Sequence, residues 1–338
     1  MTFGVKEMQK DANIYDIAKM AGVSKSTVSR VINGQGGVSE ATRAKVQQAI
    51  DECTYIPNNS ARSLSSLSTQ TVVLLVHGIV NPFFLRIISL ILDKMNGQKL
   101  DVLLHNYEPG AASITDVAIS LCKEKRPKGL ILLGGNFEGS QASLRALNIP
   151  IVMASTTMHG DDRSWFSSIT INDEDEGVKM ASYVCEKGHR QIGVIGRFYP
   201  REMGLNRIFG QHGVMPAWGD MSLDGAGSYQ AGYLATKQLL EQGEYSCFVC
   251  LSDVFAIGAM KAVQEKGLRI PEDISIVGFD GIENGKYTHP TLTTFAQPYD
   301  EMAEACVSTL MGVIEEEAPH KHIILGASLH EGGSFKQL

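Results

Sequence analysis

Lys25, Ser26, Thr27, Ser29 and Arg30 put five hydrogen-bonding side chains, two of them cationic, into one short run. Such a set suits a surface that meets phosphate oxygens and the edges of bases, because hydroxyls and cations serve both partners. The residues that must position it lie around it, in the stretch NIYDIAKMAGVSKSTVSRVIN at 13–33. Ile14, Ile17, Ala18 and Ala21 recur at three- and four-residue intervals, which predicts a helix over about 14–21 with one apolar face. Gly22 then allows a left-handed turn, and Ser24 offers a side-chain oxygen to cap a second helix that runs to Ile32. Val28, Val31 and Ile32 pack that helix on the first and leave the polar set facing outward. The layout is a helix-turn-helix whose outer face fits the major groove of DNA. Taken alone, an ordinary helical hairpin with a solvated face remains the alternative.

A third helical pattern follows Ser39, a plausible N-cap, with Ala41, Ala44, Val46, Ala49 and Ile50 mostly on one side. Pro57 is expected to end it, and Asn58, Asn59 or Ser60 can cap a short segment containing Ala61, Arg62 and Leu64. With these residues the chain resembles the DNA-binding end of LacI-family transcription regulators. Three motifs in order carry the resemblance: DIAKMAGVSKSTVSRVIN, VSEATRAKV and YIPNNSARSL. It implies that the second helix reads the major groove, with Lys25, Ser26 and Arg30 at base-reading positions. It also implies that the segment after the Tyr-x-Pro-Asn motif folds into a hinge helix on operator DNA. Asn58 is carried over as a DNA contact, and Leu64 as the leucine that wedges into the minor groove at the operator centre.

The whole chain has 338 residues, more than one compact core holds, so two or three domains are expected. Its 43% hydrophobic and 20% charged residues describe a soluble globular protein, and a net charge of −7 argues against wholesale coating of nucleic acid. The charge is uneven: residues 1–62 carry about +2 and the remainder about −9. A mildly basic head on an acidic body fits a protein that touches DNA with one end. No signal peptide opens the sequence, and no apolar run nears the roughly 18 residues of a membrane span, so a cytoplasmic protein is expected. Cys53, Cys122, Cys185, Cys247, Cys250 and Cys306 are too sparse for a disulfide scaffold. Cys247 and Cys250 form a C-x-x-C, but they flank apolar residues of an expected buried strand, and the second pair a zinc site would need is missing.

From residue 71 onward, short runs rich in Val, Ile and Leu alternate with stretches long enough for helices. TVVLLV, DVLLH, GLILLG, IPIVMA, SSITI, QIGVIG, SCFVCL and ISIVGFD form the pattern of parallel sheets covered on both faces. Eight runs exceed one common sheet, so two doubly wound subdomains with a cleft between them are expected. The resemblance extends here through IVNPFFLRII, EKGHRQIGVIG and the long stretch from LSDVFAIGAM to QPYDEMA. It implies a fold like a periplasmic sugar-binding protein, with three crossings between subdomains. The resulting plan is a small all-α helix-turn-helix domain at 1–57, a hinge helix and linker at 58–70, and an α/β effector and dimerisation domain at 71–338. One subdomain would comprise about 71–168 with 299–325, the other about 169–298 with 326–338.

Ligands in such folds bind beyond the carboxyl ends of strands. Asp280 follows ISIVGF, where a carboxylate can accept two hydroxyl hydrogen bonds, and its family counterpart contacts the effector. Arg207, in NRIFG, matches by resemblance a family arginine whose planar fork suits hydroxyls or carboxylates. Ser252 and Asp253 follow the CFVCL strand, and Asp253 either meets ligand or caps the next helix. Of Phe83 and Phe84, one can stack on a ring while the other packs below. Gln297 and Tyr299 lie near a crossing. Two departures from the family pattern concern the pocket wall. The interval from Arg207 to Ala231 is short, with Gly225-Ala226-Gly227 where an aromatic often stands, and Ser252 replaces an asparagine of several relatives.

Catalysis finds no assembled constellation. GAGSYQA at 225–231 departs from G-x-G-x-x-G/A and does not follow an apolar strand. His320 and His322 could share a metal but sit in a Pro-bounded loop. No cofactor, catalytic residue or metal is therefore expected. The sequence reads as a homodimeric regulator, a repressor by expectation, with a pseudo-palindromic operator and a small-molecule effector such as a sugar. No leucine heptad at the C-terminal end suggests a higher oligomer. The runner-up is a cytoplasmic small-molecule sensor or carrier whose helical head meets a protein partner.

Overall fold

Capping chemistry at Asn13 sets where the chain first becomes helical in the computed structural model, which describes residues 13–32, 36–53, 70–108, 112–160, 162–223 and 228–338. The Asn13 side chain accepts from the backbone of Tyr15 and Asp16, and the Asp16 carboxylate accepts in return from the Asn13 N–H. This capping box starts helix α1 (Ile14–Ala21). Gly22, at φ 66°, ends it in the left-handed conformation. Helix α2 (Lys25–Ile32) begins where Ser24 Oγ accepts from the Thr27 N–H at 3.2 Å, and α3 (Glu40–Glu52) is capped by Ser39. Ile17, Ala18, Val28, Val31, Val46 and Ala49 form their shared core. The third helix stops at Cys53, ahead of Pro57. Asn58, Leu64 and the rest of the hinge segment lie outside the described residues.

These helices belong to a unit at 1–68, and the remaining chain forms a second unit at 69–338. In the second unit, β1 (Thr71–His77), α4 (Pro82–Met95), β2 (Asp101–Tyr107), α5 (Ile114–Lys125) and β3 (Gly129–Leu133) alternate in order. They are followed by α6 (Gln141–Arg145), β4 (Ile151–Ala154), β5 (Ser167–Ile171), α7 (Asp173–Glu186), β6 (Ile192–Ile195), α8 (Tyr199–Gln211) and β7 (Ala217–Trp218). Then come α9 (Tyr229–Gln242), β8 (Cys247–Cys250), α10 (Asp253–Glu265), β9 (Ser275–Asp280), β10 (Thr293–Ala296), α11 (Tyr299–Glu316), β11 (His322–Leu325) and β12 (Ser328–His330). Each of the eight apolar runs is a strand. The four strands not anticipated are short, at two to four residues, and β11 and β12 are partly or fully exposed edges.

Two six-stranded sheets result, in the orders β11-β5-β4-β3-β1-β2 and β12-β10-β9-β8-β6-β7. Among the described residues, all pairings are parallel except β10 with β12. The chain crosses from sheet one to sheet two after Ile171, returns between Ala296 and Tyr299, and crosses again between Leu325 and Ser328. Because β5 pairs within sheet one as far as Ile171, the first crossing falls beyond the 168/169 junction expected from the resemblance. In both sheets the strand order reverses once, between β1 and β3 and between β6 and β8, and a crevice opens at such a reversal. Cys247 and Cys250 are fully buried in β8, where burial pushes both thiols up. His320 and His322 take separate partners, Ser167 for one and Ser168 with Arg163 for the other. No helix among the described residues is long and apolar enough to cross a membrane.

Candidate functional site

On α2, Val28 and Val31 point into the head core while Lys25, Ser26 and Arg30 are exposed and Thr27 and Ser29 half-buried. Ser24 Oγ bonds the hydroxyls of Ser26 and Thr27, which orients the start of this face. Lys25 Nζ donates to Tyr15 OH at 3.2 Å and lies over the same ring. Tyr15 thus joins the polar face from α1. The sequence signal for it was its place off the apolar stripe of α1, an exposed aromatic with a donor.

The reversal in sheet two gathers a denser polar cluster. Asp280 ends β9 and is nearly buried; its two oxygens accept from Ser252 Oγ at 2.6 Å and from Gln297 Nε2 at 2.8 Å. Burial pushes its carboxyl up to about 6, against the pull of Arg201, Ser252 and Gln297. Asp280 also sits at φ 119°, a conformation that costs a non-glycine residue about 1–3 kcal/mol and recurs at functional sites. Asp253 holds that loop in place. Fully buried, it accepts from the Gly281 and Ile282 N–H groups and from Thr294 Oγ1, at 2.7–2.8 Å. Its carboxylate is used up in framing Asp280, and the N-cap of α10 is Ser252.

Arg201 comes between β6 and β8. Its Nη1 donates to the Leu251 carbonyl at 2.7 Å, its Nη2 to Asp173, and its guanidinium stacks 3.5 Å from the centre of the Phe279 ring. Nε is buried without a partner among the described residues. Arg207, six positions later, pairs with Glu174 at 2.7 Å and is half exposed. Both arginines stand in an R-x-x-G pattern, so spacing alone did not separate them. Packing does: a Cβ on Gly204 would lie 2.0 Å from the Glu174 carbonyl oxygen, whereas one on Gly210 would meet nothing within 4 Å. Gly204 is therefore the glycine that lets α8 lie close on α7, and Arg201 is the arginine that precedes it. The legible signal was the stripe of Arg201, Gly204, Leu205 and Phe209 on the buried face of α8.

Sheet one contributes aromatic groups at its own reversal. The Phe84 ring lies against Gly78 and Gly134, just after β1 and β3, where any Cβ would press on it at 2.9–3.0 Å. Phe83 is buried and packs on the Tyr299 ring at 5.5 Å. Val254 and Ile282, from beyond β8 and β9, join the apolar cluster of Phe83, Ile87 and Met302, so the carboxyl ends of the two sheets meet. Tyr299 OH is buried with no partner among the described residues. His77 and Tyr107, ring centres 5.5 Å apart, and the buried Asn106 Oδ1, unpartnered among the described residues, extend this side and were not anticipated, because they lie just beyond the apolar runs read as strands. Gly225–Gly227 lie outside the described residues.

A helix-turn-helix unit followed by two doubly wound sheets with a polar cluster where their strand ends meet defines a ligand-responsive DNA-binding regulator. Residues 13–58 match the bacterial regulatory proteins of the lacI family, and residues 181–335 match a periplasmic binding protein-like domain. The chain is 35% identical to the HTH-type transcriptional regulator MalR of Clostridium butyricum, over 95% of this chain and 98% of that one. It is 31% identical to the ribose operon repressor of Haemophilus influenzae, over 89% and 91%. It also superposes on the lac repressor dimer bound to operator and the anti-inducer ONPF, with TM-score 0.77, 26% identity and coverage of 97% and 100%. The chain belongs to the LacI family of DNA-binding transcription regulators.

Proposed function

We propose that this protein is a cytoplasmic, homodimeric repressor whose affinity for a pseudo-palindromic operator is set by an uncharged polyhydroxylated effector, such as a sugar. Two heads of one dimer reach two half-sites, with Lys25, Ser26, Thr27, Ser29 and Arg30 at base edges and phosphates, and Asn58 and Leu64 at the operator centre. Tyr15 adds a phosphate donor beside Lys25. The effector lies where the sheets meet, against Asp280, Gln297, Ser252, Arg201, Tyr299 and Phe84. It shifts the operator equilibrium only by its differential affinity for the two arrangements of the protein.

The observation that carries the effector class is the charge arrangement around Arg201. Its single positive charge faces two carboxylates, Asp173, which accepts from Nη2, and Asp280 beside it. The cation is thus already balanced and an anionic ligand there would meet net negative charge, which favours neutral hydroxyls over phosphate or carboxylate. The names of relatives fit: one regulator is called MalR and another a ribose operon repressor.

Sequencing of genomic fragments captured by the full chain tests the operator; a recurrent pseudo-palindrome is expected, and fragments without any motif would overturn the reading. Arg30→Ala should then lose about 1–3 kcal/mol of discrimination between that site and random DNA. Equal losses on both would remove Arg30 from base reading. Thermal shifts with maltose, ribose and glucose 6-phosphate test the effector class. Stabilisation by a neutral sugar is expected, and a preference for the phosphate would refute the charge argument.

A further inference from the structure

One turn of helix links the polar cluster to a crossing between the sheets. Asn172 caps α7 immediately after the first crossing, and Asp173, the first residue of the helix, accepts from Arg201 Nη2. Glu176 lies three residues on, along the same face. It is 1% exposed. One of its oxygens, Oε1, accepts from the Ala327 N–H at 3.1 Å and from Lys179 Nζ at 2.7 Å. Ala327 sits in the third crossing, between β11 of sheet one and β12 of sheet two. The other oxygen, Oε2, is buried and has no hydrogen-bond partner among the described residues.

A half-satisfied carboxylate is an expensive way to fill that space. Met180, one turn further along the helix, and Leu325 and Ala327, in and beside the third crossing, belong to an apolar cluster, and apolar replacements of buried charges are often neutral or stabilising. What the carboxylate adds is a directed tie. It fixes the backbone of the third crossing to the helix that begins at the first.

We propose that Glu176 is a positioning residue for the allosteric response, coupling Arg201 and Asp173 to the third crossing through the first turn of α7. A change in how Arg201 engages Asp173 displaces the turn, and Glu176 passes the displacement to Ala327. Its unpartnered oxygen allows the carboxylate to exchange one oxygen for the other on the Ala327 N–H, so the tie can be remade at a second setting. The input end rests on the effector reading above; the tie itself does not.

The test uses the full chain with spin labels on opposite subdomains, at Glu124→Cys on α5 and Glu241→Cys on α9, both exposed positions. Cys53→Ser removes the one cysteine that is not buried. Electron–electron distance distributions are recorded without any sugar. Glu176→Gln keeps an acceptor for Ala327 and should match the parent. Glu176→Asp keeps the charge but withdraws the oxygens, and with Glu176→Ala it should broaden or shift the distribution. Superimposable distributions for folded Asp and Ala variants would overturn the tie, and if the Ala variant does not fold, the Asp variant decides. A purely structural role would lower the melting temperature and leave the distances unchanged, which also counts against it. In a second arm, Glu176→Asp should keep the thermal shift given by maltose or ribose while its effect on operator affinity falls about tenfold. If neither sugar shifts the parent protein, the effector reading fails, while the distances still judge the tie.

Discussion

Removing the Arg201 guanidinium leaves Asp173 and the buried Asp280 without the cation between them. Loss of one partner from such a buried arrangement costs about 3–5 kcal/mol, whereas an exposed pair contributes at most about 1 kcal/mol. Arg201→Met should therefore lower stability by several kcal/mol and abolish sugar binding, while Arg207→Met, at a half-exposed pair with Glu174, should do neither. Denaturant unfolding and calorimetry of the two variants separate them, and equal effects would return Arg207 to the site. Asp280 carries a second expectation at this scale. A ligand hydroxyl donates to the charged carboxylate, and the Asp280 carboxyl is raised to about 6 by burial. Sugar affinity should hold above that pH and fall up to about tenfold per unit below it, as the proton occupies the acceptor. The same shift acts on folding with its own sign: a carboxyl raised above its unfolded value contributes stability at low pH that is lost as pH rises from about 4 to 6. Calorimetric titration at pH 7.5, 6 and 5 reads the binding effect, and a flat profile would show that Asp280 is not the acceptor.

At the scale of elements, the contact of α7 with α8 turns on two glycines that look alike in sequence. An alanine at 204 would drive its Cβ to 2.0 Å from the Glu174 carbonyl oxygen, and backbone cannot yield there as a flexible side chain would. At 210 no described residue lies within 4 Å. Gly204→Ala should destabilise by more than about 2 kcal/mol, and Gly210→Ala should stabilise by up to about 1 kcal/mol through helix propensity. Thermal unfolding of both decides it, and a harmless Gly204→Ala would mean that the helices can part. The pair also shows what was legible beforehand. Helix starts with a capping side chain, such as Ser24 and Ser39, and strands with a continuous apolar run could be read because the cause is local. Which of Arg201 and Arg207 turns inward could not be read from spacing, because it depends on which glycine faces a neighbouring helix. Asp253 was ambiguous for a related reason. Its partners, Gly281 and Ile282 in the loop after β9 and Thr294 in β10, lie far along the chain.

At the scale of the molecule, the C-terminal run from His320 to Leu338 is held to both sheets, and histidines supply part of the hold. His189 is fully buried; its Nε2 donates to the Lys336 carbonyl and its Nδ1 accepts from Ser246 Oγ, both at 3.0 Å. On sheet one, His322 Nε2 donates to the Arg163 carbonyl, and its Nδ1 faces Ser168 Oγ and Arg163 Nη2. Burial is the first cause holding both imidazoles below their ordinary range; nearby cations add to it, Lys336 and Arg190 for His189 and Arg163 for His322. An imidazole held low in the fold stays neutral after its unfolded counterpart has taken a proton. Its contribution to stability is therefore complete above about pH 6.5 and declines as pH falls below that value. The sign is opposite to that of Asp280, whose window lies lower, and to that of the buried Asp253, whose carboxyl burial also pushes up, so the histidine share is read by comparing a variant with the parent protein. His189→Gln, which keeps a donor and an acceptor without a titrating proton, should start lower at pH 7.5 and lose less on acidification. Parallel slopes in the two proteins would place the acid sensitivity elsewhere than at this buried imidazole.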